Sequence, residues 1–146
     1  MHTDSSSFKK KLDRNITDSP EAPEFYTRLA VTAFSFFFGL LFGSIMLAVN
    51  IRKTEKSKLA WEAVALGFVL TGLQYWISFQ VPSVMGLSIV LSLLGAWFLS
   101  SVIWNYFISP DTEYRKRSIA VPLVIGISMY ILFFLWVIIG LSGLFF

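Results

Sequence analysis

The chain contains no cysteine. Disulfides, thiol catalysis and thiolate metal sites are therefore excluded. Histidine occurs once, as His2, in a polar N-terminal stretch, so a histidine-ligated haem or zinc centre is not expected. Charge is scarce: 14% of the 146 residues are Asp, Glu, Lys or Arg, against about 25% in a soluble domain. There is no HExxH, no GxSxG and no Gly-rich phosphate loop, so no metalloprotease, hydrolase or nucleotide site is written in the chain. The expectation is a non-enzymatic protein with no cofactor and no metal. Asp111 and Glu113, beside Arg115 and Arg117, are expected to make local turn and salt-bridge contacts.

What the chain has instead is long uncharged apolar sequence. Residues 29–49 form twenty-one consecutive residues without a charge, and three more long apolar runs follow, one with Glu62 near its start. A helix rises about 1.5 Å per residue, so each run crosses a hydrocarbon layer of roughly 30 Å. Backbone groups find no water in lipid, so each span is expected to be helical. The spans fall at about 25–49, 59–79, 87–107 and 119–141. The connections between them are 7 to 11 residues long, which allows only antiparallel neighbours. The expected fold is an all-α membrane protein of four transmembrane helices in two antiparallel hairpins, one domain over 25–146. Residues 1–24 read as a flexible polar tail, because five carboxylates and four cations with little apolar area cannot offset ordering entropy. They contain no apolar signal-peptide core, so span 1 is expected to direct its own insertion.

Cations set the expected orientation. Loop 50–58 carries Arg52, Lys53, Lys56 and Lys58, and loop 108–118 carries Arg115, Lys116 and Arg117. Loop 80–86 and the C-terminal end carry none. The positive-inside rule places the two basic loops in the cytoplasm. With four full spans, both termini then lie outside. That arrangement has one conflict: Lys9, Lys10, Lys11, Arg14 and Arg28 precede the uncharged run 29–49 and would lie on the wrong side. The loop cations are also candidate contacts for anionic lipid headgroups. The loops are too short for a nucleic-acid groove, so the expected partners are membrane lipids and a protein partner or a second copy. Trp61, Trp104 and Tyr106 are expected at the basic interface, and Phe25, Tyr26, Tyr75 and Trp76 at the other. Asn15-Ile16-Thr17 matches a glycosylation acceptor, which short patterns of this kind match by chance.

Small residues recur every fourth position in three spans: Ser35, Gly39 and Gly43; Ala63, Gly67 and Thr71; Ser88, Ser92, Ala96 and Ser100. Period four keeps each set on one helix face, where backbones approach closely. The last span has no comparable seam, so it is expected at the edge of the bundle or against a partner. Glu62, Gln74 and Tyr130 are the candidate groups for solute or proton coupling, since intramembrane polar residues mark transport pathways. Glu62 also fits a simple helix-N-terminal placement, and Gln74, Trp97 and Tyr130 fit interhelical hydrogen bonding. Asn50 and Asn105 each close a span before a basic loop, and each could cap its last turn. With VALG at 64–67 and LVIG at 123–126, they hint at a duplicated hairpin.

FFFGLLFGSIMLAVNIRKTEKSKLAW (36–61) and IWNYFISPDTEYRKRSIAVPL (103–123) resemble segments of small, uncharacterised four-span membrane proteins of bacteria. Trp104-Asn105 with Asp111-Thr112-Glu113-Tyr114 is the most specific part. The resemblance covers about a third of the chain. It implies a bacterial inner membrane and brings no activity or functional residue with it. The function expected is a structural or accessory component of a membrane complex; the alternative is a small oligomeric transporter or channel.

Overall fold

A computed structural model describes residues 15–81 and 86–144. His2, Lys9, Lys10, Lys11 and Arg14, and Pro82 in the second loop, lie outside the described residues. The chain is mostly helical. After a short strand β1 (Glu24–Phe25) come α1 (Arg28–Phe38) and α2 (Leu40–Ile51). A 3-10 turn (Ser57–Leu59) leads into α3 (Ala60–Gln80). Then α4 (Leu87–Phe98) continues through a π-helical turn (Leu99–Ile103) into α5 (Trp104–Phe107). Strand β2 (Arg115–Lys116) precedes α6 (Ala120–Leu144).

Among the described residues, three helices are long and apolar enough to cross a membrane: Ser57–Gln80, Leu87–Phe107 and Ala120–Leu141. The expected span over 25–49 is not a fourth. It breaks at Gly39, whose φ of 98° and ψ of 156° lie in a region that essentially only glycine occupies. The pieces on either side have 11 and 12 residues, about 16 and 18 Å long at 1.5 Å per residue. They fold back on one another. A methyl group built on Gly43 of α2 would overlap the Ser35 hydroxyl of α1, and Asn50 at the end of α2 bonds Tyr26 just before α1. Two hairpins of four full-length spans are thus corrected to one short hairpin, α1–α2, followed by three long helices. An uncharged run conceals such a break, because hydropathy does not register backbone direction.

The chain on either side of the hairpin is ordered by capping and pairing. Thr27 Oγ1 accepts from the Ala30 N–H at 3.1 Å and starts α1. Part of the segment 1–24, read from the sequence as a polar tail, pairs with the rest of the chain. Ile16 bridges Tyr114, and β1 pairs in parallel with β2 with Glu24 opposite Arg115 and Phe25 opposite Lys116. Apolar burial holds this ladder in place: Phe25 and Tyr114 are buried, with their rings stacked at 5.4 Å. The N-terminal segment therefore shares an end of the bundle with loops 50–58 and 108–118, and is not at the opposite end from them. Phe25 and Tyr26 move with it, away from the end holding Tyr75 and Trp76.

The core lies between the hairpin and its neighbours. α3 runs along α2, and α4 with its π turn runs along α1. Leu47, Val31, Ala63, Ala96 and Leu99 are fully buried there. The last helix, α6, stands apart. Its apolar side chains are exposed along nearly its whole length. Phe38 is its main support: it fills the space over Gly126 and packs its ring 5.5 Å from that of Tyr130.

Candidate functional site

Two features draw polar chemistry together, a basic platform at one end and a small-residue seam within the bundle. The platform is centred on Asn50. Its side chain is fully buried. Its Oδ1 accepts from the Tyr26 N–H at 2.9 Å and its Nδ2 donates to the Tyr26 carbonyl at 2.9 Å. The amide thus satisfies both backbone groups of one residue, as a neighbouring strand would. Capping of its own helix, the role expected of Asn50, is not what it does. Asn105 accepts from Arg28 at 2.7 Å instead of capping. The two asparagines therefore hold unrelated positions, which removes this support for a duplicated hairpin.

The cations divide into held and free. Arg28 lies over the Trp104 ring at 5.4 Å, and Arg117 over the Tyr26 ring at 4.9 Å. Arg115 pairs with Glu24 at 2.9 Å across the β1–β2 ladder, a partner far from Asp111 and Glu113 in sequence. Lys53 donates to the Glu24 carbonyl at 2.9 Å and Lys56 to the Tyr106 carbonyl at 3.2 Å. These contacts tie loop 50–58 to both the N-terminal segment and the end of α5. Arg52, Lys58 and Lys116 project exposed side chains with no partner among the described residues. The eight described cations, Arg28, Arg52, Lys53, Lys56, Lys58, Arg115, Lys116 and Arg117, all lie at this end. A cavity of about 310 Å³ between Pro23, Lys53, Glu55, Phe107 and Thr112 opens beside them.

The seam is assembled from residues on several helices. Ser35 faces Gly43 within the hairpin, and Gly67 of α3 faces Ser44 and the Leu41 backbone of α2. Ser35 and Ser44 are fully buried. Each hydroxyl donates to a carbonyl one turn back, Ser35 to Val31 at 2.6 Å and Ser44 to Leu40 at 2.8 Å. Self-satisfied hydroxyls let the backbones approach without an unpaired polar group. Ala63, Ala96 and Ser100 are buried, Ser100 donating to the Trp97 carbonyl at 3.2 Å. Thr71 has a buried hydroxyl without a hydrogen-bond partner among the described residues. Ser88 meets Ser78 at 3.0 Å, and Ser92 accepts from Gln74 at 2.7 Å, joining α3 to α4 at the end away from the platform. Gly39 belongs to none of these contacts. Nothing lies within 4 Å of a methyl built on it, so it is the turn and not a packing glycine.

The transport candidates are scattered. Glu62 is exposed in the first turn of α3, Gln74 is bonded to Ser92, and the Tyr130 hydroxyl donates to the Phe37 carbonyl. The last contact supplies a donor to the carbonyl end of α1, where helical partners run out. Among the described residues no group of three or more His, Asp or Glu side chains is placed to hold a metal. Ser44 and Thr27 do not stand out in the sequence, and Arg28 does so only by its charge. Ser44 is out of the period-four register of its span, and Arg28 reads there only as one more tail cation. Compared with known proteins, the chain matches no family model, no curated protein and no solved structure.

Proposed function

We propose that the chain is a non-enzymatic integral membrane protein that serves as a structural or accessory component of a membrane complex. α3, α4–α5 and α6 are its transmembrane spans, and α1–α2 is a re-entrant hairpin. The platform faces the cytoplasm and the C-terminal end of α6 faces outside. The resemblance to four-span proteins of bacteria adds a bacterial inner membrane to this reading. The observation that carries the functional part is α6: a helix of 25 residues that meets the hairpin at Phe37 and Phe38 and whose apolar side chains are otherwise mostly exposed among the described residues. The grooves within the bundle support it too. That between α3 and α4, about 390 Å³ around Leu70, Leu73, Leu94 and Trp97, is walled by apolar side chains save Gln74.

The break at Gly39 favours a second reading, a small oligomeric transporter or channel, because discontinuous helices at mid-depth build substrate sites in transporters. The experiment that separates the two starts from the full chain purified from its native membrane in mild detergent. The accessory reading expects a second polypeptide in fixed ratio, with a photoreactive residue at Leu132 forming an adduct to that same polypeptide. A homodimer that passes solutes in proteoliposomes, with Leu132 labelling only lipid or its own copy, overturns it.

A further inference from the structure

A groove of about 320 Å³ runs between α2 and the first half of α6. Phe42, Met46, Val49, Val121, Ile125 and Met129 form its walls. Val121, Ile125 and Met129 are 49% to 66% exposed, so the groove opens sideways instead of being enclosed. From Val121 to Met129 it extends eight helical residues, about 12 Å at 1.5 Å per residue. One leaflet of a bilayer contributes roughly 15 Å of hydrocarbon, half the usual core. The groove therefore has the length, the chemistry and the opening for one acyl chain.

Its shallow end is not apolar. Tyr26 lines it there, with its backbone fixed by Asn50 and the Arg117 guanidinium 4.9 Å above its ring. Arg117 has no carboxylate partner among the described residues. Arg52 follows Val49 by three positions, with its side chain exposed. No Asp or Glu among the described residues lines the groove. A positive mouth over an apolar slot between helices on the cytoplasmic side is the arrangement that selects anionic phospholipid.

We propose that this groove is a binding site for one anionic phospholipid, with an acyl chain against Phe42, Met46, Ile125 and Met129 and the phosphate at Arg117 and Arg52. The site would fill the space left between α6 and the hairpin beside the Phe37 and Phe38 contacts, and so set the position of α6. This inference rests on the membrane reading above. The test is native mass spectrometry of the full chain from mixed micelles holding equal phosphatidylglycerol and phosphatidylcholine. The wild-type protein retains one phosphatidylglycerol with about tenfold preference. Arg117→Gln with Arg52→Gln brings that preference to near unity, and Ile125→Trp, which fills the slot, removes the retained lipid. Equal retention of the two lipids by wild type, or an unchanged preference in the double variant, overturns the site. If Ile125→Trp does not insert, the wild-type comparison decides alone. Release of the chain from membranes by alkaline carbonate defeats the membrane reading itself, whereas a carbonate-resistant chain without lipid preference defeats only the site.

Discussion

Asn50 shows how one residue fixes a chain reversal. A buried amide with both ends bonded to the same backbone residue closes a 24-residue loop. Removing it strands two buried backbone groups, and each stranded group costs about 1–3 kcal/mol. Asn50→Leu is therefore expected to lower stability by roughly 2–6 kcal/mol, read as the unfolding midpoint in detergent. Asn105→Leu removes a bond in which both partners are more exposed and should cost well under half as much. An equal loss from the two would remove the special role of Asn50. Gly67 carries a second residue-level expectation. A side chain there meets Ser44 and the Leu41 backbone, so Gly67→Leu should force α2 and α3 apart at a cost of about 1–3 kcal/mol. The small-residue period made Gly67 legible in the sequence. Asn50 was visible only as a polar residue before a basic loop, because its partner lies 24 positions away.

α1 and α2 depend on a single backbone conformation between them. Gly39 has open space around it, so the consequence of adding a methyl group is conformational and not steric. Gly39→Ala should destabilise by about 1–3 kcal/mol. Gly72 also has open space around it but sits within α3 at an ordinary helical backbone. Gly72→Ala should be neutral or stabilising by up to about 1 kcal/mol. Thermal melts of the two variants side by side check the pair, and a shared sign would show that the turn at 39 is not constrained. The three long helices were legible because length and apolarity suffice to find them; their observed ranges, Ser57–Gln80, Leu87–Phe107 and Ala120–Leu141, closely follow the apolar runs at 59–79, 87–107 and 119–141. The break was not legible, because Gly39 and Gly43 fit the same period and only the backbone angle separates turn from packing contact.

Charge placement joins these elements into one topology. Four full spans leave the cations of the N-terminal segment on the opposite side from the basic loops, a conflict already present in the sequence. The proposed re-entrant hairpin removes it, since Arg28 then lies with Arg52, Lys53 and Arg117, and the ladder from Ile16 to Phe25 needs no crossing. What the sequence could not convey was the choice between a misplaced tail and a span that does not cross, because both have the same hydropathy. The absence of cysteine makes the choice directly measurable. Single cysteines at Ser19, Ser57 and Ser109, exposed on the three segments of the platform, should all resist a membrane-impermeant maleimide applied outside intact cells and react after permeabilisation. A reporter fused after Phe146 that is active only outside should be active. Labelling of Ser19→Cys from outside while Ser57→Cys stays protected would restore four full spans. Labelling of all three from outside would keep the hairpin and invert the protein, because the ladder and the Lys53 and Lys56 contacts bind the three segments to one face whichever way that face points.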